Sequence, residues 1–125
     1  MTIQEAIDRV DELKPNMMSV RLKVEFLTEI EQMIHEEIIL KHEHTAAQEA
    51  KPEYSEDTDL MTELQVPDPY GMVYVYWLLS KIDMQNQEDG RYNVDRAHFE
   101  NSYDTMRTWW TRTHMPIQKT REFLL

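Results

Sequence analysis

The stretch from Tyr70 to Leu79, Tyr-Gly-Met-Val-Tyr-Val-Tyr-Trp-Leu-Leu, is apolar or aromatic at nearly every position. Its β-branched and aromatic residues, Val73 to Trp77, would also suit a strand. Length decides against that: no turn signal follows Pro69 until Gly90, a span well beyond an ordinary strand. Asp68 is placed to cap, and Pro69 to take the first helical position, where its missing N–H costs nothing. The pattern therefore predicts a helix from Pro69 to about Glu88, stopped by Gly90. A helix apolar on all sides is buried on all sides. This one is expected at the centre of an all-α fold, with the other helices packed around it.

The flanking segments predict about three more helices. Thr2-Ile-Gln-Glu5 is a capping box, and Ile3, Ala6, Ile7, Val10 and Leu13 follow at helical spacing. Pro15 stops this helix by disfavouring a helical conformation at Lys14. Ser19 is the next N-cap. Leu22, Phe26, Leu27, Ile30, Met33, Ile34 and Ile38 form an apolar stripe running to about Lys41, with Glu25, Glu29, Glu31, Glu36 and Glu37 assigned to the wet surface. The short join makes these two helices an antiparallel or steeply crossed pair. A last helix opens near Asn93 and repeats Phe99, Tyr103, Met106 and Trp110 at helical spacing, ending near Thr113 before Pro116. Asp95 near its start suits the helix dipole.

Between these elements the apolar period fails. Residues 43–66 read as a long polar loop, a length that marks functional or disordered segments. Leu60, Met61, Leu64 and Val66 are expected to pin its end to the core, and Thr62 to Val66 to form at most one short strand. Residues 116–125 form a short C-terminal arm, basic and then apolar.

A chain of 125 residues without cysteine reads as one helical domain, residues 1–125, able to bury a core without disulfides. Its start is polar and acidic, unlike a signal peptide, and no apolar run has the length of a membrane span, so a soluble protein is expected. The net charge of -11 argues against a free-standing nucleic-acid binder. The charge is also uneven: residues 1–66 hold 16 acids and 6 bases, residues 67–125 hold 8 and 7. An acidic front and a basic tail can attract each other between copies.

Motifs for chemistry are scarce. His35, His42 and His44 lie near a helix end, but Ile39 stands where a zinc-protease helix needs its second histidine, and no glutamate has a histidine three residues later. They read as surface histidines favourable to a helix C-terminus. Asp57-Thr-Asp59 begins like a calcium loop, yet Thr62 and Asp68 occupy the positions that need Gly and Glu. There is no cysteine nucleophile, no Gly-x-Ser-x-Gly elbow and no glycine-rich loop. No catalytic residue, metal or cofactor is assigned. One enzyme class is the alternative: all-α magnesium-dependent nucleotide pyrophosphohydrolases, which pair carboxylates along helices. Glu53 with Glu56, and Glu56 with Asp59 across Asp57, have the pair spacing but lie in the polar loop. The aromatic set Tyr70, Tyr74, Tyr76, Trp77, Trp109 and Trp110 reads mainly as core. Adjacent helical residues point about 100° apart, so Trp109 and Trp110 cannot both face inward, and one of them is expected at an interface. A small protein-binding adaptor is a further alternative.

Five phrases carry a resemblance: Glu5-Ala-Ile-Asp-Arg-Val-Asp-Glu-Leu-Lys-Pro-Asn16, Glu56-Asp-Thr-Asp59, Thr62-Glu-Leu-Gln-Val-Pro-Asp-Pro-Tyr70, Ala97-His-Phe-Glu-Asn-Ser-Tyr103 and Trp110-Thr-Arg-Thr-His-Met-Pro116. In these the chain resembles prophage proteins of Gram-positive bacteria related to phage head–tail connector (head-completion) proteins. Residues 43–54 match least, and Gly71 stands where a charged residue is expected. The resemblance implies a mostly helical, non-enzymatic virion protein, made in the host bacterial cytoplasm. It implies a ring of twelve copies beneath the portal protein that extends the DNA channel and docks a tail or adaptor protein. DNA would pass without sequence-specific binding, and no membrane is involved. The expected interface residues are Trp109, Trp110, Arg112, Lys119, Arg121, Phe123, Leu124 and Leu125, with Glu56, Asp57 and Asp59 as the acidic counterpart.

Overall fold

The computed structural model describes residues 1–117. Four helices carry the fold: α1 (Ile3–Leu13), α2 (Val20–Glu37), α3 (Met72–Gln85) and α4 (Asp89–Thr113). Among the described residues there is no named strand, and no helix is long and apolar enough to cross a membrane. The fold is all-α, with α3 at its centre. It alone packs against each of α1, α2 and α4, while α1 and α4 do not pack on each other. Val73, Tyr74, Val75, Trp77, Leu78, Leu79 and Ile82 are all buried, as a helix apolar on every side requires.

Contacts fix the helix directions. Asp11 late in α1 meets Lys23 early in α2. Going along α2, Phe26 meets Trp77 and Glu31 meets Tyr74, in opposite order on α3. Trp77 packs on Phe99 and Tyr70 on Trp109, again in opposite order. The helices therefore run up, down, up, down.

The expected caps of α1 and α2 are present. Thr2 and Glu5 complete a capping box, and Ser19 Oγ accepts from Leu22 N at 3.1 Å. The four aromatic and apolar positions of α4 are buried, and this helix ends at Thr113. Other boundaries differ from the expectations. The second helix closes at Glu37, not Lys41; Ile39–Lys41 tighten into a 3-10 turn, and His42 Nδ1–H donates back to Ile38 O at 2.7 Å. Pro69 is not the first residue of α3. A turn bond from Tyr70 N to Pro67 O, 3.0 Å, comes first, and the helix starts at Met72. Nor does Gly90 stop it. The helix closes at Gln85, and Gln87 takes the left-handed conformation at φ 57. Gln87 N bonds Met84 O at 3.1 Å and Glu88 N bonds Asp83 O at 2.9 Å, the paired closure of a Schellman motif. Gly90 then falls in the first turn of α4, which opens at Asp89 and not near Asn93.

The segment between α2 and α3 is fastened to both. Residues Ala46–Glu49 make a 3-10 turn. His35 Nε2–H donates to Gln48 O at 2.9 Å, Gln32 Nε2 to Pro52 O at 3.0 Å, and Tyr54 N to Thr28 Oγ1 at 3.3 Å. The expected strand at 62–66 is a single bridge, Thr2 with Glu63, flanked by Ile3 N to Thr62 O and Leu64 N to Met1 O. Leu64 and Val66 are buried, but Met61 is exposed, as is Leu13 of the α1 series. His35 and His42 are likewise buried, not surface histidines, because the interhelical segment and α4 cover them.

The largest departure is Glu31. It does not face water with its acidic neighbours; it is 0 % exposed. It sits four residues after Leu27 and three before Ile34, squarely on the apolar stripe. Its carboxylate accepts Tyr54 Oη–H at 2.8 Å and Gln65 N at 3.0 Å on Oε2, and Tyr74 Oη–H on Oε1. Burial drives the Glu31 carboxyl above its ordinary range, and these hydrogen bonds pull partly the other way. The two phenols are raised in turn by burial and by the carboxylate beside them.

Candidate assembly interface

The last turns of α4 form an aromatic ladder. Trp110 is 2 % exposed and stacks on His114, with ring centroids 4.1 Å apart and planes 8° apart. Trp109 meets Trp110 edge-on at 5.7 Å and stacks on Tyr70 at 4.6 Å. The expected division between the two tryptophans is present: Trp110 belongs to the core, and Trp109 is the outer, half-buried one. Tyr70 comes from the turn before α3 and covers one face of Trp109. Arg112 is exposed beside them. Lys119, Arg121, Phe123, Leu124 and Leu125 lie outside the described residues.

The chain leaves α4 along the end of α2. Glu43 N bonds Met115 O at 2.7 Å and Ile117 N bonds Lys41 O at 3.0 Å, either side of a bridge between His42 and Pro116. His42 also faces Thr111 Oγ1 through Nε2 at 3.4 Å.

The acidic counterpart sits elsewhere. Glu56, Asp57 and Asp59 are exposed on a turn closed by Thr58 N to Ser55 O, and Asp59 Oδ1 accepts Met61 N at 2.9 Å. Glu56 lies beside Arg21, Val24 and Glu25 in the first turns of α2. The tryptophans and Arg112 lie beyond the other end of α2, where Tyr103 Oη–H donates to Glu37 Oε2 at 2.6 Å. At the helical rise of 1.5 Å per residue, Glu56 is about 20 Å from them along α2, whereas Asp59 precedes Leu60, whose O accepts Gln4 N at the start of α1. Among the described residues, the fold therefore does not bring Glu56 to Trp109, Trp110 and Arg112 within one copy.

A second relation of the same kind runs across the bundle. The outer side of α1 carries Glu5, Asp8 and Glu12, with the cationic Arg9 among them, around an open hollow of about 340 Å³ that Asp68 and Met72 also line. The final turns of α4 carry Arg107 and Arg112, both exposed, with Arg107 paired to Asp104 at 3.6 Å. A groove of about 310 Å³ continues along α4 from the aromatic ladder, lined by Tyr70, Tyr76, His98, Asn101 and Thr105. In it Tyr76 stacks on His98 at 5.1 Å.

Sequence reasoning missed Tyr70 as a partner of Trp109 and missed the groove. Both depend on residues far apart in the chain meeting across α3 and α4. Gly71 is explained by packing. A Cβ at this buried position would stand 3.0 Å from Asp68 Oδ1 and 3.3 Å from Met1 Cβ, so the expected charged residue would meet the start of α1. The four loop carboxylates Glu53, Glu56, Asp57 and Asp59 are exposed, and no helix carries them. Comparison of the chain with protein-family models, with curated proteins and with solved structures gives no match.

Proposed function

We propose that this chain is a structural virion protein of a prophage, a head–tail connector that closes into a ring on the portal protein. The ring extends the DNA channel and docks the tail or an adaptor, and the protein catalyses no reaction. The resemblance in the five sequence phrases motivates this reading, and the all-α fold agrees with what it implies.

The structural observation that carries the proposal is the placement of α1 and α4. Both pack on α3 and not on each other, one mainly acidic on its outer face and the other ending in exposed arginines. A patch on one helix that complements a different patch on the other makes a head-to-tail contact. Such contacts close into rings when the rotation per copy permits. Opposite charge on the two patches favours the correct partner face and speeds encounter. The net charge of -11 gives such a ring a surface that repels phosphate, so DNA slides through without sticking.

Light scattering on a sizing column tests the reading, first on the protein alone and then with the cognate portal protein. The expected result is a large closed oligomer in at least one of the two conditions. A strict monomer or dimer that ignores the portal would overturn it.

A further inference from the structure

Where α3 gives way to α4, two aspartates are shut away from water. Asp83 is 0 % exposed and Asp95 is 5 % exposed. Each keeps a buried Oδ2 without a hydrogen-bond partner. Lys14, just past the end of α1, donates to Asp83 Oδ1 at 2.6 Å and also to Glu88. Arg91, one turn before Asp95 on α4, is exposed and acts through its field alone. On α2, Lys23 is bonded to Asp11 instead. Two carboxyl groups, Asp83 and Glu88, thus share one ammonium, while Asp95 has no bonded cation. A buried carboxylate without a partner takes up a proton in preference to staying charged. One proton between Asp83 and Asp95 would give both orphan oxygens a partner.

We propose that Asp83 and Asp95 share a single proton, and that this proton is a clasp holding the first turns of α4 against α3, released as the pH rises to neutrality. The arrangement is that of two buried carboxyl groups on packed helices, each with an unpartnered oxygen, whose titrations are linked. Burial, a hydrogen bond to Asp83 and the Asp83 charge raise Asp95 to about 6, against a smaller opposing pull from Arg91 and Lys14. Lys14 itself is lowered by burial, but its bonds to Asp83 and Glu88 outweigh that and leave it raised. The ammonium therefore stays charged through the whole range in which Asp95 titrates. Because the folded pKa of Asp95 lies above its ordinary value, the stabilisation is full below the ordinary aspartate range. It is lost as the pH rises through about 6. The clasp does not depend on the connector reading.

Two measurements test it. In the wild-type protein, the Asp95 side-chain carboxyl carbon is followed by NMR across the pH range, with a midpoint near 6 expected. Amide exchange, corrected for its intrinsic pH dependence, should accelerate in residues 89–95 more than in residues 99–110 over the same interval. The second measurement compares melting temperatures of the wild type and Asp95→Asn, which keeps a donor for Asp83 and cannot ionise. From about pH 4.5 to about pH 8 the variant should gain on the wild type by about 3–6 °C. An ordinary aspartate midpoint, or melting curves that stay parallel across this range, would overturn the clasp. The NMR titration decides the matter even if the variant fails to fold.

Discussion

Tyr74 on α3 donates its phenolic hydrogen to Glu31 Oε1 on α2, while its oxygen accepts Val66 N–H at 2.9 Å. One side chain thus ties two helices and the segment that joins them. Tyr54 and Gln65, both from that same segment, supply the other donors to the carboxylate. The site is a polar staple inside an apolar bundle, with each carboxylate oxygen satisfied.

Tyr74→Phe removes both of these bonds and leaves Val66 N–H and Glu31 Oε1 without a partner. The expected loss is about 2–4 kcal/mol of stability, read by urea denaturation. A loss within about 0.5 kcal/mol would mean that the staple is not coupled to the fold.

Glu31→Gln tests the pH sign at the same place. Burial raises the Glu31 carboxyl, so the folded state holds its proton more tightly than the unfolded chain does. That contribution is full below the ordinary glutamate range and is lost as the pH rises through the raised folded value. Glutamine does not titrate. The stability advantage of the wild type over Glu31→Gln should therefore shrink with rising pH; an advantage that grows would show that the hydrogen bonds to the carboxylate outweigh its burial.

Gln87→Gly should stabilise the protein. Gln87 closes α3 at φ 57, where a side chain is strained and glycine is not. Its side chain is exposed and has no packing to lose. The gain expected is about 0.5–1 kcal/mol, offset in part by the greater freedom of glycine in the unfolded chain. A drop in melting temperature would contradict this account of the helix end.

The adjacent tryptophans should separate in their effects. Trp110→Ala opens the core and is expected to cost about 3–5 kcal/mol. Trp109→Ala loses the Tyr70 stack and the edge contact, about 1–2 kcal/mol. If Trp109 belongs to the contact between copies, its variant should keep its circular dichroism spectrum and lose oligomer mass. Equal destabilisation by both would place Trp109 in the core instead.

Deleting Lys119 to Leu125 should weaken self-association with helix content intact, since every described helix ends before that segment. Unchanged oligomer mass in the truncated protein would remove the proposed assembly role of the arm.

Much of the bundle was legible in the residues. A capping box at Thr2 and an N-cap at Ser19 are local chemistry, settled within one turn, and they appear as read. The all-round apolar character of Val73 to Leu79 required a central helix, because no other position buries every side at once. The stripe of Phe99, Tyr103, Met106 and Trp110 set which face of α4 turns inward. Of the candidate interface, the one legible fact was that Trp109 and Trp110 must point apart.

The fate of the acids inside those stripes was decided only by tertiary structure. Glu31 continues the spacing of Leu27 and Ile34, and Asp95 the spacing of Phe99 and Tyr103, so the register already pointed both inward. An acid on an apolar stripe can be buried only if donors or a shared proton arrive from elsewhere. For Glu31 they come from Tyr54, Gln65 and Tyr74, which lie 23, 34 and 43 residues away. For Asp95 the partner is Asp83, across a helix end that Gln87 closes and Gly90 does not. Periodicity reports which way a side chain points. Whether a charge can remain there depends on groups that meet only when the whole chain has folded.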